Sequence, residues 1–256
     1  MGGAMLEGWL SVGMPASNIR VFDPKPSDDL SGLCRSKGIR LNPDASDEVP
    51  DALVLAIKPQ MLDEAAARIN ALLGDRTVLV SILAGKTIAD LRARLPRASA
   101  IVRAMPNLPA SIGRGATGAA ANAEASANQR ATADALLGSV GTVEWLDSEG
   151  LIDAVTAVSG SGPAYVFHLT ECLAAAGVAA GLPADLAERL ARATVSGAGE
   201  LLQQSDLSPG ELRQNVTSPG GTTAAALEVL MLPDAMPRLM REAVAAAKRR
   251  AQELSG

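Results

Sequence analysis

The sequence predicts an α/β half followed by an all-α half, and three observations carry that prediction. Short β-rich runs alternate with helix-like segments up to about Trp145, the layout of a mostly parallel sheet flanked by helices. After Glu149 only helical periodicity remains. Several segments of that second half open on a proline, as at Pro163, Pro183 and Pro233, where the first helical position tolerates the missing N–H.

In the first half the predicted strands are residues 19–23, 39–41, 52–57, 77–83, 99–104, 115–121 and 142–146, with helices over 60–73, 87–95 and 123–137. This order reads as doubly wound. In the second half, residues 153–158, 163–180, 183–204, 209–215, 222–231 and 233–254 all read as helix. The expected division is a dinucleotide-binding domain over residues 1–148 and a helical substrate-binding and dimerisation domain over 149–256.

Composition narrows the function classes. A chain of 256 residues with 48% hydrophobic content has enough apolar mass for a real core, which excludes global disorder. Only 2% of residues are aromatic, so that core must come from close packing of small residues, which suits helices. The net charge is −5 and the longest basic run is Lys248-Arg249-Arg250, so no nucleic-acid partner is expected. Cys34 and Cys172 have no CxxC or Cys/His spacing, which suits reduced thiols of a cytoplasmic protein and gives no metal site. No apolar run reaches the roughly 18 residues a membrane span needs, and the N-terminus lacks the layout of a secretory signal.

The N-terminus is anomalous. Met1-Gly2-Gly3-Ala4-Met5-Leu6 looks like the last part of a glycine-rich dinucleotide fingerprint and its helix, with no strand and no earlier glycines before it. Gly2 then corresponds to the third glycine, and Gly2-Gly3 is otherwise a plain terminus. We expect the natural start about 10 residues or more upstream, by typical strand length. Asp23 ends a strand some 20 residues on, where a carboxylate accepts hydrogen bonds from an adenosine ribose; an Asp there is also a common turn former.

Four further segments invite a ligand. Ala56-Ile57-Lys58-Pro59-Gln60 follows the most apolar strand at the carboxyl edge of the sheet, where open α/β folds bind ligands, although it also reads as an ordinary turn with a solvated lysine. Arg103-Ala104-Met105-Pro106-Asn107-Leu108-Pro109-Ala110 brackets Asn107 with prolines that stiffen the loop, either to hold polar groups near a nicotinamide or as a rigid connector. Ser159-Gly160-Ser161-Gly162-Pro163 and Thr217-Ser218-Pro219-Gly220-Gly221-Thr222-Thr223 each set hydroxyls and paired glycines before a helix, the chemistry of an anion site, and each also reads as a helix cap. Two such loops in one helical half point to a small carboxylate substrate.

The run from Asp153 to Phe167 taken with Thr217-Ser218-Pro219-Gly220-Gly221-Thr222-Thr223 resembles the pyrroline-5-carboxylate reductase family, and the segments at Met1, Ala56 and Arg103 resemble that family's segments in the same order. The resemblance implies a Rossmann-type N-terminal domain, here lacking its first strand, and a helical C-terminal domain that intertwines into a homodimer, with dimers often assembling further. It implies reduction of 1-pyrroline-5-carboxylate to L-proline by NADPH or NADH. It also implies substrate contacts at Ser159, Ser161, Gly162, Ser218, Gly220, Gly221, Thr222 and Thr223, with amides of Gly221, Thr222 and Thr223 on the carboxylate and the Thr223 hydroxyl, the catalytic group, near the imine nitrogen. Cofactor contacts fall on Met1, Gly2, Asp23, Ala56, Lys58, Pro59, Met105, Pro106 and Asn107.

The residues fit that chemistry, because a protonated imine already accepts hydride and the protein need only position it and neutralise its acid group. The helical half has no lysine before Lys248 and no histidine except His168, which disfavours metal hydrolysis and Ser-His catalysis. His168 reads as a packed or interfacial residue. Leu108 stands where Thr is usual in the family, and Asp23-Pro24 where many members carry polar or basic residues. Asp23 repels the 2′-phosphate of NADP and Lys25 partly offsets it. The alternatives are a related hydroxyacid dehydrogenase, which uses a helical-side lysine that is absent here, and an inactive helical dimer scaffold.

Overall fold

The computed structural model describes residues 1–44 and 49–255. The chain divides into two compact units, one formed by Met1–Gly160 with Lys248–Gly256 and the other by Ser161–Ala247.

The first unit runs α1 (Gly2–Ser11), β1 (Arg20–Val21), α2 (Asp28–Lys37), β2 (Arg40–Leu41), β3 (Ala52–Leu55), α3 (Leu62–Leu72), β4 (Val78–Ser81), α4 (Ile88–Arg94), β5 (Ala100–Met105), β6 (Gly115–Ala121), α5 (Ala127–Gly138), β7 (Gly141–Trp145) and α6 (Ile152–Val155), with a π-helical turn over Thr156–Gly160. Its strands form a five-stranded sheet in the order β3-β4-β5-β6-β7 and a separate two-stranded sheet of β1 and β2. All pairs are parallel except β5 with β6, which run antiparallel with Val102 opposite Ala121.

Period-2 alternation divides the core between the two faces of the larger sheet. Val78, Val80, Ala100, Val102 and Ala104 meet Met5 of α1 and Ala133 and Leu137 of α5, whereas Leu55, Leu79 and Ile101 meet Leu62 and Ile69 of α3 and Leu91 of α4. Helices on both faces explain why β4 is buried along its whole length and reads as a continuous apolar run. A third cluster of Leu6, Ile19, Cys34 and Ile39 fixes α1 and α2 to the small sheet, and burial pushes the Cys34 thiol pKa up.

Local chemistry sets the helix ends. α4 begins with a capping box between Thr87 and Asp90, and α5 with one between Ser126 and Gln129. Desolvation works to raise the Asp90 pKa, but hydrogen bonds from the Thr87 amide and hydroxyl, with Lys86 and Arg94 nearby, hold it below the ordinary carboxylate value. The hydrophobic pattern gives no helix between the first two strands, yet α2 forms there. Ser27 caps it by accepting from the Leu30 amide, Asp28 and Asp29 occupy its first turn, Arg35 and Lys37 its last, and Gly38 closes it in the left-handed region at φ 71°.

The second unit holds α7 (Gly162–Ala179), α8 (Ala184–Gln204), α9 (Pro209–Asn215), α10 (Thr222–Leu230) and most of α11 (Met236–Ser255), whose end from Lys248 belongs to the first unit. Pro183 stands as the cap of α8 rather than within it. The pattern puts Pro233 at a helix start; α11 begins at Met236 instead, because the Ala235 amide donates to Leu232 O and closes a turn first. α7 packs on α8 through small residues, and a Cβ on Gly177 would lie 3.2 Å from that of Ala187. Ala187 and Ala191 are the only buried residues of this unit among those described, while Phe167, Leu190, Leu201, Leu202, Val229 and Leu239 are exposed.

Candidate functional site

The N-terminus of α1 supplies an amide cradle. Met1 caps the helix without a side-chain hydrogen bond, so the first-turn amides of Gly2, Gly3 and Ala4 have no intrahelical partner. A Cβ on Gly2 would lie 2.9 Å from that of Ala56, so glycine is what lets this helix start approach the carboxyl end of β3. Ala56 and Lys58 are exposed beyond that strand, and Lys58 caps the short 3-10 turn Pro59–Met61 with its carbonyl accepting from the Met61 amide at 2.9 Å.

Asp23 lies past the end of β1 and is held from two sides. The Asn42 amide donates to Val21 O at 2.7 Å, Asn42 Oδ1 accepts from the Asp23 amide at 2.9 Å and Asn42 Nδ2 donates to Asp23 O at 2.6 Å. Asp23 Oδ1 in turn accepts from the Lys25 amide at 2.8 Å. Asn42 is the only non-glycine residue at positive φ among those described, at 49°, a conformation that Asn tolerates best of the non-glycine residues. The unpatterned Leu41-Asn42-Pro43 stretch carried that signal as an Asn directly after a strand.

A fixed dinucleotide meets a suitable set of groups here: uncapped helix amides for a pyrophosphate, a close glycine contact and a carboxylate for ribose hydroxyls. The residues of this unit therefore fit such a cofactor.

The β5 end is built differently. Met105 closes the strand opposite Gly118, Pro106 is buried, and Asn107 is turned inward with 9% exposure. Its Nδ2 donates to Ser159 O at 3.2 Å and to Ser159 Oγ at 3.1 Å, its Oδ1 accepts from the Ala116 amide at 2.9 Å, and Ser159 Oγ donates to Ala116 O at 3.0 Å. Asn107 and Ser159 thus form a clasp that ties the β5 loop, the start of β6 and the π-helical turn together. A π turn is a rare geometry that recurs at functional sites.

Two residues before the end of β5, Arg103 is 5% exposed and its Nη1 donates to Glu149 Oε1 at 2.9 Å, which also accepts from the Ile88 amide at 2.7 Å. In the sequence Glu149 marks only the boundary after which the pattern turns helical. The pair joins β5 to the first turn of α4 and lies beside a cavity of about 40 Å³ lined by Arg103, Met105, Asp153, Thr156 and Leu254.

In the second unit, Ser161 caps α7 without a side-chain bond, and Gly162 and Pro163 follow as its first residues. At α10 the Gly221 amide donates to Ser218 O at 3.0 Å with Gly220 at φ 69°, a tight turn in which only glycine is unstrained at the third position. The Gly221 amide is thereby spent inside the turn. Thr222 and Thr223 open α10, whose N-cap Gly221 has no side chain to offer, so their amides and hydroxyls are the groups left for an anion.

Among the described residues no group of three His, Cys, Asp or Glu side chains is arranged to hold a metal, and no helix is long and apolar enough to cross a membrane. His168 is exposed on α7, its Nδ1 2.9 Å from Glu171 Oε2, at the surface rather than in a core.

Comparison with known proteins finds a family match in each half of the chain. Residues 149–254 match the family described as pyrroline-5-carboxylate reductase dimerisation, and residues 1–85 match the one described as NADP oxidoreductase, coenzyme F420-dependent. The chain is 39% identical to the pyrroline-5-carboxylate reductase of Pseudomonas aeruginosa, over 100% of this chain and 93% of that one. It is 44% identical to that of Synechocystis, over 87% and 82%. Its fold superposes on the pyrroline-5-carboxylate reductase of Coxiella burnetii with a TM-score of 0.92 at 35% identity, covering 100% and 95% of the two chains. A Plasmodium falciparum pyrroline carboxylate reductase, solved with NADP bound, gives 0.77 at 27%, covering 100% and 95%. Sharing more than a third of its residues with relatives that it matches along most of their length, the chain belongs to the pyrroline-5-carboxylate reductase family of NAD(P)H-dependent oxidoreductases.

Proposed function

We propose that the chain reduces 1-pyrroline-5-carboxylate to L-proline, the last step of proline biosynthesis, with NADH or NADPH as donor. The observation that carries the substrate assignment is the turn before α10: it consumes the Gly221 amide, leaves those of Thr222 and Thr223 at an uncapped helix start, and so offers a seat for one small carboxylate.

In this reading the reduced nicotinamide supplies the hydride and the chain does the rest. The amides of Thr222 and Thr223 hold the carboxylate. Ser218, Gly220 and Gly221 shape the turn that presents those amides, and the Thr223 hydroxyl orients the imine N–H as the catalytic group. Ser161 and Gly162 contribute from the start of α7, and Ser159 acts through the Asn107 clasp. Fixing the ring and neutralising its acid group supply most of the rate, since the imine carbon already accepts hydride once the nitrogen is protonated. Cofactor contacts fall to Met1, Gly2, Asp23, Ala56, Lys58 and Pro59, with Met105, Pro106 and Asn107 bordering the nicotinamide end.

Residues 1–148 then form the dinucleotide-binding domain and 149–256 the substrate-binding and dimerisation domain, a division supported by the family match over 149–254. The helical unit buries two alanines and exposes Phe167, Leu190 and Leu201, so it acquires a core by pairing with a second copy. We place the protein in the cytoplasm, with Cys34 and Cys172 as free thiols.

The test is a steady-state assay of dinucleotide oxidation with the cyclic imine against a panel of 2-hydroxy and 2-oxo acids, run with each cofactor. Turnover confined to the imine supports the assignment; turnover confined to the open-chain acids overturns it.

A further inference from the structure

We propose that Asp23 makes NADH rather than NADPH the dinucleotide this chain selects, and that Asn42 is the positioning residue that holds Asp23 for that task. The inference rests on the nicotinamide-dependent reading above and adds which of the two cofactors is taken.

Asp23 follows the first strand after the α1 crossover, the place where doubly wound sheets meet the adenosine ribose. A carboxylate there only accepts hydrogen bonds. It accepts from ribose hydroxyls, which have protons to give, and it opposes a 2′-phosphate, which has none at neutral pH and carries up to two negative charges.

What makes the opposition count is that Asp23 is fixed. The Asn42 side chain brackets the Asp23 backbone, accepting from its amide at 2.9 Å and donating to its carbonyl at 2.6 Å, while the Asn42 amide is tied to Val21 O. Asp23 Oδ1 accepts from the Lys25 amide at 2.8 Å, which orients the carboxylate and leaves Oδ2 for a ligand hydroxyl. Residue 42 sits at φ 49°, held there by these contacts.

The cations around it do not form a matching phosphate site. Lys25 is exposed on its own long side chain between Pro24 and Pro26. Arg68 of α3 is spent on the Phe22 ring, 5.1 Å from its centroid. Arg20 and Arg40 lie opposite each other in the β1–β2 register, on the strands themselves rather than beyond their ends. One fixed carboxylate with only an exposed lysine side chain beside it disfavours the phosphate, by roughly tenfold or more in Kd for a unit charge near a dianion in a solvated site.

The experiment is equilibrium binding of NADH and NADPH, read by nicotinamide fluorescence and by calorimetry, for the chain and for Asp23→Ser and Asn42→Gly, with circular dichroism to confirm folding. We expect NADH to bind at least tenfold tighter than NADPH to the unaltered chain. Asp23→Ser brings the two within about threefold, mostly by tightening NADPH. Asn42→Gly keeps the backbone conformation, removes the bracket and narrows the ratio with both variants folded. NADPH binding as tight as NADH, a ratio unmoved by Asp23→Ser, or no binding of either dinucleotide overturns the proposal. Imine turnover driven best by NADPH would sink this inference and leave the reductase assignment standing; NADH-selective binding without imine turnover would do the reverse.

Discussion

Asn107→Ala removes the clasp at the end of β5, and its cost follows from what each bond leaves behind. The Ala116 amide loses the acceptor it meets at 2.9 Å, and Ser159 O loses its donor at 3.2 Å, in surroundings where Asn107 itself is 9% exposed. A buried polar group left without a partner costs about 1–3 kcal/mol, and Ser159 Oγ still has Ala116 O to donate to, so two such groups give about 2–6 kcal/mol in all. For a chain of this size that lowers the melting temperature by roughly 4–24 °C. The π-helical turn over Thr156–Gly160 should loosen most, since Ser159 is its link to β6. Calorimetric melting gives the stability loss, and hydrogen exchange of the 156–160 amides locates it. A variant that melts with the unaltered protein and keeps its exchange protection, yet binds dinucleotide more weakly, would refute the clasp and make Asn107 a direct ligand contact.

Glu149→Ala strands the guanidinium of Arg103, whose side chain is 6% exposed, and should destabilise by about 3–5 kcal/mol in thermal unfolding; Arg103→Met with Glu149→Leu should recover most of that loss. Leu173→Asp puts a charge on the apolar surface of α7, where Phe167 and Leu173 are exposed in the single chain; sedimentation should show the dimer giving way to monomer with helix content reduced. The Thr87–Asp90 box should weaken only in acid. A carboxyl whose folded pKa is depressed contributes stability above its unfolded value, and that stability is lost as pH falls through the lower folded value, so protection of the α4 amides should hold at pH 5 and fall below about 3.8.

How far the sequence could be read varied with what each element depends on. The large sheet was legible because β4 and β5 are buried on both faces and their apolar runs say so, while β6 was found at its full bounds. The antiparallel direction of β6 was not legible, since it is decided by the turn geometry of residues 106–114 and not by periodicity. α2 was missed because its evidence lies in caps and charges, with only Cys34 of its own residues buried. The smaller sheet came out as two residue pairs instead of the longer strands expected, its Asp23 end being held by the Asn42 side chain, whose one sequence signal is an Asn directly after a strand. At the site, Ser218-Pro219-Gly220-Gly221 shows its turn openly through Pro and Gly. The inward use of Asn107, Ser159 and Glu149 could not be read, because it joins residues 52 and 46 positions apart through side-chain bonds.

The claim on which the account turns is that a small acid group sits on the amides of Thr222 and Thr223. A crystal structure of the chain with L-proline and oxidised dinucleotide tests it directly. The account predicts the proline carboxylate within hydrogen-bond distance of those two amides, with the ring nitrogen toward the Thr223 hydroxyl. A carboxylate bound elsewhere, with the turn before α10 merely closing a helix, would contradict it.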